Sequence, residues 1–478
     1  MATPSSREAV MPPVPPWSWF SALLLGALCA CGTPVPEPAP PGDPPLSEQM
    51  DPALAARLQA AREAVLADTC FRERPGGDGC EWGDFPFDPG AFAMRHDSGE
   101  AILVIDDFPT LPLRTLRYQN RLRGYFRVDG QGRLTPVSFS WRLPVTLYRV
   151  LQSFASPDFI PAEQLRSLEP LLSETYPDQA NDSAGHGSFV FSVLVETNPH
   201  QSLVLLDTLR FQTFAAEEFC DTSGTPASFE RLRAKASVVA DGLRTLMAEH
   251  GVRYVNLSSG VTLASVREDW LASCQGPLPD DSVLRGKLAA YTPIYAALFH
   301  TPGVFTAQAA IDAVSPEENP FDFASELFPN RLRVGFFSVL ESGLDAEGRG
   351  AHASLGGWPG QANADVYVNT GVLPQRPFEH NRTPLLQVDA FGVDILPITR
   401  ATTSWVAPLA LSRFIHARSA HFEGQALSDA LIRQVMERML PPRCADLPGG
   451  VCIYQDPLLH GQTEAVRLDY RRREYTAP

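Results

Sequence analysis

Two six-residue stretches constrain the fold more than anything else in the chain: AILVID (Ala101–Asp106) and SLVLLD (Ser202–Asp207). Each is an apolar run that closes on an acid. A strand with one wet face alternates apolar and polar residues, whereas a strand buried on both faces reads as a continuous run. The segments between such runs are helical. Thr225-Pro226 opens a long helix, with proline suited to its first turn. Phe229, Leu232, Val239, Leu243 and Leu246 follow at helical spacing, and Gly251 ends it. VRYVNLSSG (Val252–Gly260) reads as the next strand and Ser282–His300 as a second helical stretch. GVFTAQAA (Gly303–Ala310), RLRVGFFSV (Arg331–Val339) and ADVYVN (Ala364–Asn369) read as further strands. Strands alternating with helices imply an α/β fold with a doubly wound, mostly parallel sheet flanked by helices. Reactive residues in such sheets gather at the carboxyl ends of the strands. Asp106 stands at one.

The chain has 478 residues, 44% of them hydrophobic, enough for one large domain and accessory segments. Its net charge of -16 leaves no basic surplus to neutralise phosphates, which argues against nucleic acid as a partner. Trp17–Ala30 has the length of a signal-peptide core and is short for a bilayer span. It runs into LCAC (Leu28–Cys31), which resembles a bacterial lipobox with Cys31 as the lipidated residue; a simple secretory signal is the alternative. The stretch after Cys31 is Pro-rich and behaves as an extended spacer. An anchor followed by a tether describes an exported lipoprotein of the cell envelope, at the outer membrane or facing the periplasm, with the membrane as a partner through its lipid.

The expected segments are a lipoprotein signal over 1–31, a tether over 32–50, an N-terminal extension over 51–95 that opens with a helix at 51–67, a main domain over 96–440, and a tail over 441–478. Six cysteines remain after Cys31. An even count in an exported chain favours disulfides. The short gaps suggest Cys70–Cys80 and Cys444–Cys452, leaving Cys220–Cys274. No cysteine or histidine spacing suggests a zinc site, and no metal ligand is assigned.

Three polar residues stand where a loop meets a buried element: Asp106 at the end of AILVID, His186 in SAGHGSFVFSVLV, and Ser404 in TTSWVAPLALSRF. In the order Asp, His, Ser, they resemble the subtilisin-like serine proteases. The family's acid motif V-x-V-I-D is LVID here. Its histidine motif H-G-T-H-V is HGSFV, with Phe189 in place of the second histidine. Its serine motif G-T-S-M-A-x-P is TTSWVAP, with Thr402 in place of the glycine. VNLSSG (Val255–Gly260) resembles the family's N-x-S-x-G strand, and FPNRLRVGFFSV resembles its Y-P-A…V-I-x-V-G-A segment. The resemblance spans roughly 96–425.

It implies a serine endopeptidase acting on polypeptides: Ser404 as nucleophile, His186 as its base and then the acid for the leaving amine, and Asp106 orienting the imidazole. Neighbouring Asp107 competes for the last role, but Asp106 fits the register. Ser258, Ser259 and Gly260 would line the substrate cleft. Pro408 is expected close enough to the start of the Ser404 helix to be tolerated. The family's oxyanion Asn in A-A-x-G-N aligns with Asp312, and its glycine with Ile311, with Gln308 as another candidate donor. An ionised carboxylate cannot donate to an oxyanion. No cofactor is required; calcium sites are common in the family, but no ligands can be placed here. A monomer is expected. The competing reading is a catalytically impaired relative with a binding or structural role. An esterase is weaker, because no G-x-S-x-G motif is present. The shapes of 108–180 and 261–300, read as long insertions, do not follow from the sequence.

Overall fold

The computed structural model describes residues 50–69, 80–180, 185–311, 315–321, 327–337, 364–369, 386–397, 402–439 and 452–454. Cys31, the tether over 32–49, Cys70, Asp312, Cys444 and nearly all of the tail lie outside them. The strands are β1 (Trp82–Pro86), β2 (Ala101–Asp106), β3 (Leu122–Val128), β4 (Leu134–Pro136), β5 (Ser140–Pro144), β6 (Ser202–Asp207), β7 (Val252–Leu257), β8 (Phe305–Ala309), β9 (Arg331–Phe337), β10 (Val366–Asn369), β11 (Leu386–Val388), β12 (Ile395–Pro397) and β13 (Cys452–Tyr454). The longer helices are α1 (Pro52–Ala67), α2 (Val145–Ser153), α3 (Gly187–Thr197), α4 (Pro226–Glu249), α5 (Leu263–Ser273), α6 (Asp281–Ala289), α7 (Thr292–Phe299), α8 (Thr403–Phe422) and α9 (Asp429–Met439). Among the described residues no helix is long and apolar enough to cross a membrane.

The fold is α/β. The main sheet runs β13-β10-β9-β8-β7-β2-β6-β3-β4, parallel throughout except for the antiparallel β3–β4 pair. From β2 the chain first builds to one side, through β3 and β6. It then returns to the other side with β7, pairing Ile105 with Leu257. The β2–β7 boundary is therefore a point where the strand order reverses, and such points leave a crevice at the carboxyl ends.

Successive side chains of β2 point to opposite faces, and both faces are buried. Ile102 and Val104 enter one core, with Val190 and Leu194 of α3, Ala407 and Leu411 of α8, and Leu54, Leu58, Ala61 and Val65 of α1. Ala101, Leu103 and Ile105 enter the other, with Val239 and Leu243 of α4, Trp270 of α5 and Leu298 of α7. This explains why the run is uninterrupted in sequence: each of its leucine, isoleucine and valine side chains is worth roughly 1.5–3 kcal/mol when fully buried, and both faces are covered by apolar layers.

Several expected elements differ in the structure. The segment 108–180 is not only an insertion: it supplies β3, a parallel neighbour of β6. Ser282–His300 is two helices, not one. Pro293 has no N–H to give the Ala289 carbonyl, and the Thr292 hydroxyl donates to that oxygen instead (2.7 Å). The strand expected over Val252–Gly260 ends at Leu257. The Cys220–Cys274 disulfide is formed and ties the chain before α4 to the end of α5.

Candidate active site

β2 carries Asp106 to the carboxyl edge of the sheet, where the residue is only 3% exposed. Its Oδ1 accepts from the Asp107 backbone N–H at 2.7 Å and faces His186 Nδ1 at 2.5 Å. Asp107, the competing acid, is exposed, and it enters this geometry through its backbone: besides that N–H, its carbonyl accepts from the Gly187 N–H at 2.9 Å.

The two glycines beside His186 make that approach feasible. Gly185 has φ +81°, a left-handed conformation that costs glycine little. A Cβ on Gly185 would lie 2.6 Å from Pro109 Cδ, and one on Gly187 would lie 2.9 Å from the Asp107 carbonyl oxygen and 2.6 Å from the Phe108 ring. The Gly-His-Gly turn can therefore press directly onto the 107–109 loop, and this delivers the imidazole to Asp106.

Burial pulls the His186 pKa down, but the hydrogen bond and charge of Asp106, with the charge of Asp107 behind it, more than reverse this. The imidazole therefore titrates above its ordinary value of about 6.5. Burial raises Asp106 in turn, and the His186 hydrogen bond and charge offset part of that rise. An imidazole held this way has one tautomer fixed, with Nδ1–H on the carboxylate, and presents Nε2 as the proton acceptor.

Ser404 lies in the first turn of α8. Thr402 precedes the helix in an extended conformation (φ -137°, ψ 163°), so the backbone there does not require glycine. Pro408 is the sixth residue of α8, inside the helix and past its first turn. Its missing N–H leaves the Ser404 carbonyl without its partner four residues on. The Ser258 hydroxyl takes that place, donating to Ser404 O at 3.2 Å and accepting from Asn256 Nδ2 at 2.7 Å. In return the Ser404 hydroxyl donates to the Ser258 carbonyl at 3.3 Å. The end of β7 and the start of α8 are thus locked by two reciprocal bonds.

No hydrogen bond joins Ser404 to His186 among the described residues. The residue after the serine makes the contact with His186: the Trp405 indole stacks on the His186 ring with centroids 4.6 Å apart and planes 24° from parallel. Phe189 packs on the same indole at 5.0 Å. Trp405 directly follows the serine, but nothing in the local sequence marks it as a partner of His186.

Ser259 and Gly260 line a solvent-open cleft with Ile105, Leu209, Tyr291 and Leu298. The Arg210–Asp269 pair, 3.5 Å apart, lies at the same cleft. Ile311 packs on Gly260, where a Cβ would come within 2.3 Å of its Cδ1. Gln308 is fully buried; its Oε1 accepts from Arg331 Nη1 at 3.3 Å, and its Nε2 would lie 3.4 Å from the same Cβ. The described residues contain no group of three or more metal-ligating side chains.

No protein-family model matches the sequence, and no curated protein matches it. Several solved structures are similar, three of them as follows. One is a cold adapted subtilisin-like serine proteinase (11% identity, TM-score 0.34, covering 77% of this chain and 91% of that one). Another is the PatG macrocyclase in complex with peptide (14%, 0.34, 77% and 94%). A third is Pseudomonas sedolisin, a serine-carboxyl proteinase complexed with two molecules of pseudo-iodotyrostatin (12%, 0.31, 73% and 85%).

Proposed function

We propose that the chain is a subtilisin-like serine endopeptidase, exported and held at a membrane by a lipid on Cys31. The observation that carries the peptidase reading is the Asp106–His186 bond at the strand-order reversal, with the Ser404 helix packed against the same imidazole through Trp405. In this reading the Ser404 proton moves to His186 Nε2 as Oγ bonds to the peptide carbonyl carbon, whose π electrons move onto oxygen. The carbonyl then re-forms as the C–N bond breaks, and His186 returns the proton to the leaving amine. Asp106 stays ionised and stabilises the imidazolium. The first turn of α8 favours the negative charge that develops there. The substrate runs past Ser258–Gly260, with the cleft beside Ser259 and Gly260 taking an apolar side chain.

Labelling with a fluorophosphonate probe tests the reading. Wild type is expected to label and Ser404→Ala is not; absence of Ser404-dependent labelling between about pH 5 and 9 would sink the enzyme assignment. One observation favours the impaired relative as a second reading: the Ser404 hydroxyl is engaged by the Ser258 carbonyl, not by His186. The anchor is tested separately. Cys31→Ser should release the protein from membranes, and retention would count against lipidation at that position.

A further inference from the structure

The histidine and serine segments each carry one large aromatic residue where the motifs they resemble have histidine and methionine: Phe189 and Trp405. In the fold these two rings meet, 5.0 Å between centroids, and His186 lies stacked on the other contact of the indole at 4.6 Å. The imidazole is therefore held at two places: Nδ1 by Asp106 and a ring face by Trp405. A near-parallel indole beneath an imidazole offers its negative π face to whichever charge state is positive.

We propose that Trp405 is a positioning residue for His186: its indole, backed by Phe189, sets the plane of the imidazole and stabilises the imidazolium. The proton's source in turnover rests on the peptidase reading, whereas the stacking and its effect on His186 do not. The charged groups acting on His186 are Asp106 and Asp107, both at the end of β2. From α8 come Ser404 and Trp405, and from α3 comes Phe189, none with a formal charge. Removing the indole therefore leaves both carboxylates in place and takes away a face that favours the protonated ring. Cover by the indole acts the other way, since burial pulls the pKa down; leucine keeps most of that cover, so the lost π face sets the direction and the His186 pKa is expected to fall.

The test is a pH titration of histidine-labelled protein by NMR, with the His186 resonance identified among the ten histidines by its loss in His186→Gln. Trp405→Leu is expected to lower the His186 pKa by about half a unit and to remove the indole's ring-current shift. Trp405→Phe keeps an aromatic face and should retain most of both, and it serves if the leucine variant does not fold. An unchanged or raised pKa in Trp405→Leu overturns the proposal, as does a Trp405→Phe value as low as that of leucine. These readouts need no turnover. A lowered pKa without Ser404-dependent labelling would leave the stacking standing and remove the peptidase. Labelling with an unmoved pKa would do the reverse. With peptide substrate, Trp405→Leu should lower kcat about threefold at unchanged KM; a raised KM with kcat intact would overturn the positioning role.

Discussion

The two faces of the main sheet are built differently. On the face that carries α3 and α8, polar groups are buried between the helices. Thr197 Oγ1 meets Ser412 Oγ at 2.8 Å, and Asn198 Nδ2 donates to the same Ser412 oxygen at 2.9 Å. Nearby, Glu196 accepts from the Tyr118 hydroxyl and pairs with Arg117 at 3.4 Å. On the other face, α4 to α7 pack through side chains such as Phe211, Trp270 and Tyr291, and a disulfide closes the layer. Lys287 interrupts that apolar layer. Burial lowers its pKa to about 8, and its ammonium donates to the Asp221 carbonyl at 2.9 Å. Apolar area is non-directional: it holds helices on a sheet without specifying their rotation or translation. Hydrogen bonds between buried groups do specify them. The face that carries His186 and Ser404 joins its two helices, α3 and α8, directly through such bonds.

That contrast can be broken or sharpened in four ways. Asp106→Asn should be the largest, lowering kcat by about 10⁴-fold through loss of the imidazole's orientation, with the fold intact by circular dichroism. A loss of only a few fold would mean that Asp107 or another acid does this work. Replacing both Cys220 and Cys274 with serine opens a loop with a sequence separation of 54 residues and should cost about 4 kcal/mol in denaturant unfolding. Activity below the melting range should stay unchanged; a parallel fall in kcat would show that the two faces are mechanically coupled. Ser412→Ala strips a partner from Thr197 and Asn198 and should cost about 1–3 kcal/mol. Unlike the cysteine pair, it should also lower kcat, because α3 and α8 lose a bond that sets their relation. The smallest effect is in pH. In the proposed peptidase His186 would act as a base only when deprotonated, and its pKa stands above about 6.5. The acid limb of kcat/KM should therefore lie above that value and move down in Asp106→Asn, where burial still acts but the carboxylate's charge is gone. A limb that moves up would contradict the assigned cause.

The parts of the fold legible in the chain were those with one dominant signal. AILVID and SLVLLD are strands because an unbroken apolar run has nowhere to sit but a sheet covered on both sides. Thr225-Pro226 and Gly251 mark a helix because each has a conformational reason to be there. LRGYFRV (Leu122–Val128) does not read as a strand because its arginines interrupt the apolar pattern. Arg127 donates to the Asp207 carboxylate and to the Phe108 and Pro109 carbonyls, partners distant in the sequence.

The site divides along the same line. The register of the motif that LVID resembles favours Asp106 over Asp107, and the glycines flanking His186 single out that histidine; the structure sets these two side chains face to face. What lies around Ser404 depends on the three-dimensional arrangement. Pro408 frees a carbonyl, but Ser258 takes it only because β7 ends beside α8. Trp405 lies one residue from the serine, yet its contact is with His186, 219 positions earlier by number. The sequence by itself determined which segments are buried on both faces, because burial is written in the side chains of each segment. Only the tertiary structure decided which hydroxyl, carbonyl and ring meet, because those contacts join segments whose relation is set by sheet order and helix packing.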